Sequence, residues 1–160
     1  MDHIVVDEDI IMLIERISYH YHFNIANRVL RPVILQIYLE KSTWDNIEAF
    51  TEKLEVSRCS GLKLDDLYRQ IAACAHLVEA ARNETESIKN KVNAVHDDSD
   101  KEYRDMTINN FSGNLQTFAD LLNLLFVLLI DFDKRNSGEN PPLYTQIPEL
   151  DDVNHILTGE

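Results

Sequence analysis

Residues 118–132, FADLLNLLFVLLIDF, decide how this chain is read, because only Asp120, Asn123 and Asp131 among them are not apolar. Three settings suit such a run: a bilayer, the centre of a core, or a surface that meets a partner. A membrane-crossing helix needs about 20 predominantly apolar residues. The stretch from Leu121 to Ile130 supplies ten, Asn123 included, with Asp120 and Asp131 at its ends and Gln116 and Asn114 upstream. The run therefore reads as too short and too acidic to be an anchor.

Its internal order gives a helix. Ile108, Phe111, Leu115, Phe118, Leu122, Leu125, Leu129 and Phe132 step by three and four, which places them on one helical stripe. Leu121, Leu124, Phe126, Val127, Leu128 and Ile130 then cover the other faces, and a helix apolar all round has to be enclosed all round. The expectation is a central helix in the fold, or a helix with one face on a second copy of the chain. Leu121, Asn123, Leu124, Phe126, Val127 and Ile130 are accordingly the candidate interface residues. Asn123, inside the run, is where a paired hydrogen bond would set helix register; Asn110 and Asn114 are expected to face solvent.

Upstream, a second seam runs through Leu64, Leu67, Ile71, Cys74, Val78, Ala81, Thr85, Ile88, Val92 and Val95, with Thr85 its one polar member. It starts at KLDD, where acids suit a helix N-terminus, just after Gly61. Only the short polar HDDSDKE separates the two seams, which predicts an antiparallel helical hairpin. The second helix should end near Lys134 and Arg135, with Gly138 beyond.

The first third is less regular. Ile10, Leu13, Ile14, Ile17 and Tyr21 mark a helix that should stop or kink near Arg31, because Pro32 disfavours helical geometry in the residue before it. VILQIYLE continues on a new axis, and STWDNIEAFTEKLEV restarts with Ser42 or Thr43 as N-cap and Trp44, Ile47, Phe50 and Leu54 as its stripe. At the far end, residues 137–160 begin as a Pro-containing linker and become a short amphipathic tail, separate from a helical domain over 1–136. Pro148 fits a first helical position, Gly159 an end, and Ile147, Leu150, Val153 and Leu157 share one face. Such a tail either docks on its own domain or enters a partner's groove. The expected architecture is all-α: a four-helix bundle with a long hairpin, a kinked first half and this C-terminal amphipathic helix.

Charge narrows the partners. Fifteen Lys and Arg face 28 Asp and Glu, a formal net charge of -13 that phosphate backbones and anionic membranes repel. Neither nucleic acid nor membrane is an expected partner, and solubility is the commonest meaning of such acidity. Two cysteines, Cys59 and Cys74, form no CxxC motif, and the acidic N-terminus lacks a basic, apolar leader; the expected location is the cytoplasm.

Assembled chemistry is scarce. His76 and Glu79 in HLVE share a helix face, but the Glu-x-x-His order of ferritin-like di-iron bundles does not occur in the chain. His20 and His22 are two apart, about 200° around a helix, and cannot chelate one ion together there. QTFADLLNLLFVLL resembles the helix of all-α NTP pyrophosphatases, where carboxylates hold Mg²⁺. In this chain Gln116 and Thr117 stand at the carboxylate positions and only Asp120 matches, while Glu48, Glu52 and Glu55 lie upstream. No glycine-rich phosphate loop and no GxSxG elbow is present. Cys74 and His76 do not face each other on a helix.

No catalytic residue, metal ligand or cofactor is assigned. The expected function is non-enzymatic: an acidic, cytoplasmic helical protein working through protein–protein contacts as an adaptor, chaperone-like or regulatory module, and a candidate homodimer. Two alternatives are an acidic inhibitor or nucleic-acid mimic, its face built from Asp97, Asp98, Asp100, Glu102, Asp151 and Asp152, and a metal-dependent helical-bundle enzyme.

Overall fold

The computed structural model describes residues 7–25, 41–60, 63–95 and 101–159, without the side chains of residues 41–44, 56–60, 92, 93 and 95. The fold is all-α, and among the described residues there is no strand. The break expected at Arg31, the VILQIYLE segment and the side chains of Trp44, Cys59, Val92 and Val95 lie outside this description.

Helix α1 (Glu8–His20) begins with Glu8 and Asp9 in its first turn, where negative charge complements the exposed amides. Ile10, Leu13, Ile14 and Ile17 are buried. A plain helix was the expectation beyond His20; instead Tyr21–Ile25 winds as a π-turn. Tyr21 and Ile25 stay buried while Phe23 is exposed. Helix α2 (Lys41–Ser60) buries Ile47, Phe50, Thr51 and Leu54. Ser42 and Thr43 are inside this helix, so neither is its N-cap.

Helix α3 (Leu64–Val95) and helix α4 (Lys101–Asn136) carry the two seams. On α3 the seam is buried from Leu64 through Ile88, and on α4 from Ile108 through Phe132. Thr85 keeps its place among apolar neighbours because its hydroxyl donates to the Ala81 carbonyl at 2.6 Å. Lys134 and Arg135 fall in the last turn of α4, and Gly138 follows with φ +60°, a left-handed conformation that costs glycine little.

The tail departs from its expected form. Leu143–Gln146 and Pro148–Leu150 are 3-10 turns, and only Val153–Thr158 is α-helical (α5), closed by Gly159 at φ +77°. The reason is geometric. On one continuous helix Ile147 and Ile156 would point about 180° apart. Breaking the helix at Asp151 and Asp152 lets Ile147, Leu150, Val153, Ile156 and Leu157 all turn inward.

Helix α4 packs against α1, α3 and α5, and α3 packs against α2 and α5 as well. One apolar cluster joins all five helices. By length and composition α4 would suffice to cross a membrane, unlike the shorter run within it, and 44% of its most apolar 18-residue window is buried in this fold.

Candidate functional site

The two sides of α4 are built differently. On one side sits the tail, held at each end by a charge. Asp133, one helical step beyond Leu129, is buried. Its carboxylate accepts the amides of Leu143 at 3.0 Å and Tyr144 at 2.9 Å, the hydroxyl of Ser137 at 3.2 Å and the phenol of Tyr68 at 2.9 Å. Those two amides open the first 3-10 turn and have no partner within it. Burial first, and then the bond to Asp133, pushes the Tyr68 phenol far above its ordinary pKa of 10.0, so it remains a donor. Lys134 adds a cation 5.8 Å from the centre of the Tyr144 ring.

At the other end Arg82 donates to the carbonyls of Ile156 and Leu157, the last turn of α5, and to Gln116 Oε1 at 2.9 Å. A cation at a helix C-terminus satisfies orphan carbonyls and complements the dipole. Gln116 in turn donates to Asp120 at 2.9 Å and to the Leu157 carbonyl at 3.3 Å. Asn154 donates to Asn123 at 3.0 Å, and Arg69 pairs with Glu149 at 3.2 Å in solvent.

On the other side α4 meets α1 and the π-turn. His20 Nε2 lies 3.1 Å from the Asn114 carbonyl. A carbonyl only accepts, so this nitrogen carries the proton, and Nδ1 is free to accept from Asn24 Nδ2 at 3.0 Å. At the opposite end of α1, Arg135 bridges Asp7 and, at 3.1 Å, Asp131. Between these ties lies an open groove of about 830 Å³. Met12 and Tyr19 of α1 and Thr117 and Leu121 of α4 line it, together with Ser18, His22 and Glu55. Ser18 donates to Glu55 at 2.5 Å, and His22 stands 3.9 Å from the same carboxylate. Tyr19 stacks on Phe23 with ring centres 5.3 Å apart, although both are more than half exposed.

The candidate interface residues separate into three groups. Ile147, Leu150, Val153 and Leu157 are buried in the chain's own fold. Phe126 is 5% exposed, edge-on to Tyr68 at 6.3 Å, and half-buried Asn123 holds the tail. Leu121 and Ile130 are half-buried, leaving Leu124 and Val127 in water at 45% and 48% exposure. A helix expected to be enclosed on all sides is therefore left open along one strip. Sequence reasoning missed Asp133 and Arg82, and missed the groove. Asp133 had a signal: Leu122, Phe126, Leu129 and Asp133 step by four, three and four along a buried stripe. Arg82, just after Ala81 of the α3 seam, had none.

For metal chemistry, His76 and Glu79 are both exposed. Among the described residues no three His, Cys, Asp or Glu side chains converge to hold an ion. Gln116, at a carboxylate position of the pyrophosphatase pattern, is engaged with the tail instead. Glu52 and Glu55 are exposed and Glu48 is half-buried on α2. Cys74 is fully buried, which pushes its thiol far above the ordinary 9.0 and leaves it an inert apolar filler. Glu102, Asp151 and Asp152 are exposed, and Asp97, Asp98 and Asp100 lie outside the described residues. Asn110 faces solvent, while half-buried Asn114 offers the carbonyl that His20 uses. No protein family, curated protein or solved structure gives a significant match to this chain.

Proposed function

We propose that this protein is a non-enzymatic, cytoplasmic helical module that works through protein–protein contacts, with the groove between α1 and α4 as its contact surface. The observation that carries this reading is the exposed apolar material gathered there. Met12 and Tyr19 on the α1 wall, Phe23 stacked on Tyr19, and Leu124 three residues beyond the lining residue Leu121 are each at least 45% exposed. Singly, exposed apolar residues need no explanation; grouped along a groove they are what an association site looks like. The net charge of -13 keeps such a surface soluble and disfavours nucleic acid and anionic membranes as occupants.

The same reading takes α1 to α4 as a four-helix bundle in which α3 and α4 form an antiparallel hairpin. Its support is the pairing of Tyr68 with Asp133 and of Arg82 with Gln116, early with late and middle with middle. Short contacts of α1 with α4 at Asp7 and Arg135, and at His20 and Asn114, fit the same arrangement.

The test is photo-crosslinking in the cells that make the protein, from a probe at position 124 and, as control, at position 86 on exposed α3 surface. A discrete protein adduct from 124 and none from 86 is the expected result. An adduct of twice the chain's mass identifies a second copy. Equal adducts from both positions, or none from 124, would sink the reading.

A further inference from the structure

We propose, resting on the reading of the α1–α4 groove as a contact surface, that its occupant is a cationic amphipathic helix of a partner protein. The groove opens between α1 and α4, with the π-turn and Glu55 of α2 at its edge, and a groove between helices is a place where a partner helix lays its apolar face. Its floor and walls offer Met12, Tyr19 and Leu121, and Leu124 extends the strip by one turn. Met12 and Tyr19 stand seven residues, two helical turns, apart on one wall and Leu121 and Leu124 three apart on the other, so each wall presents one stripe to a docked helix.

The sign of the partner follows from what surrounds this strip. Among the described lining residues of the groove, Glu15 and Glu55 are the acids and Arg16 carries the guanidinium. Asp120 is exposed beside Thr117, and its hydrogen-bond partner, the Gln116 amide, is neutral. At the Asp7 end, Arg135 is matched by two carboxylates, Asp7 and Asp131, leaving a negative surplus there too. Glu55 is oriented toward the groove by the Ser18 hydroxyl, with His22 3.9 Å from the same carboxylate. Apolar strip inside, carboxylates outside, is the complement of a helix with an apolar stripe flanked by Lys and Arg. Attraction of that kind steers encounter and rejects acidic competitors.

The experiment uses the full chain and three synthetic helical peptides of about 18 residues, long enough to span some 27 Å. All share one leucine stripe; the polar face is Lys in the first, Glu in the second and Gln in the third. Binding is read by fluorescence anisotropy at physiological salt. The expected result is that the Lys peptide binds, and that Met12→Lys with Leu124→Lys weakens it about ten-fold or more, as loss of a central anchor does. Glu86→Lys on α3 should leave the affinity nearly unchanged. Both groove positions are about half exposed, and far-ultraviolet dichroism checks each variant; Tyr19→Lys serves if the double variant misfolds.

Four outcomes overturn the proposal. Equal weakening by Glu86→Lys means the peptide follows net charge and not the groove. Tighter groove binding by the Gln or Glu peptide defeats the cationic partner and leaves the contact-surface reading standing. Self-association abolished by the groove variants, with no peptide bound, makes a second copy the occupant. No peptide bound and no self-association removes the contact-surface reading as well.

Discussion

The tail side and the α1 side of α4 use the same kind of surface and end in opposite states. On the tail side, apolar residues of α3 and α4 are covered by Ile147, Leu150, Val153, Ile156 and Leu157, and the covering segment is pinned by Asp133 at one end and Arg82 at the other. On the α1 side, polar ties at His20 and at Arg135 hold the helices together and leave Met12, Tyr19 and Leu124 in water. The contrast shows that apolar content does not decide which face of a helix is closed. A face closes where polar groups satisfy the backbone ends of the segment that covers it, because unpaired amides and carbonyls there would each cost about 1–3 kcal/mol.

The strongest way to break this contrast is to open the closed side. Leu157→Asp puts a carboxylate where Leu157 is fully buried. It should destabilise the chain by about 4 kcal/mol or release the tail, since a buried unpaired charge is among the largest single-residue penalties. Denaturant unfolding with hydrogen exchange across residues 143–158 distinguishes the two. An unchanged midpoint would mean that the tail adds nothing to the core.

Next in size is the clamp. Asp133→Ala strands the Leu143 and Tyr144 amides and removes the acceptor of Tyr68. A loss of about 3 kcal/mol is expected, with the exchange of both amides rising selectively. Asp133→Asn keeps shape and one acceptor oxygen and should cost less. Equal effects of the two would show that the site needs charge and not geometry.

Alkaline titration sharpens the account of the same corner. Tyr68 and Cys74 have folded pKa values raised above their ordinary 10.0 and 9.0. The unfolded chain therefore loses these protons first, and it binds fewer protons than the native chain above pH 9. Stability contributed by the two groups is complete below that pH and declines as pH climbs through 9 and 10 toward their folded values. Tm measured from pH 8 to 10.5 should fall, more gently in Cys74→Ala and Tyr68→Phe. Identical slopes in all three chains would contradict the burial of these groups.

The smallest effect is expected where both partners face water. Arg69 and Glu149 are each more than half exposed, and Arg69→Ala should change stability by less than about 0.5 kcal/mol. A loss comparable to that of Asp133→Ala would mean that the tail is held by surface charge and not by its buried ends.

How much of this was legible before folding differs along the chain. The α3 seam through Ile88 and the α4 seam through Phe132 were readable residue by residue, because a three-four repeat admits one buried stripe and the apolar positions filled it. The end of α4 was readable from Lys134, Arg135 and Gly138, each with a local role at a helix terminus. The split of the tail was not. Gly159 marked the end of its helix, but Pro148 opens a 3-10 turn and the α-helix starts only at Val153; the pattern suited one helix, and only the shape of the α3–α4 surface asks Ile147 and Ile156 to face the same way. The π-turn after His20 was likewise hidden, since His20 is bonded both to Asn24 nearby and to the Asn114 carbonyl far along the chain.

The candidate site shows the same division. Ten interface residues were chosen for being apolar, or polar in an apolar run, and hydropathy cannot tell which of them the chain will use on itself. Leu122 and Leu124 are chemically identical neighbours, one fully buried and one 45% exposed. Asp133 stood on the buried stripe as an acid out of place, a signal that was present and unread.

The sequence by itself determined the helices, their seams and the strong negative charge, because periodicity, end chemistry and ionisation are local properties of residue types. Which faces closed and which stayed open was decided only by tertiary structure. Closure depends on whether a distant segment arrives with its backbone ends satisfied, as the tail does at Asp133 and Arg82, and that condition is written in no single stretch of the chain.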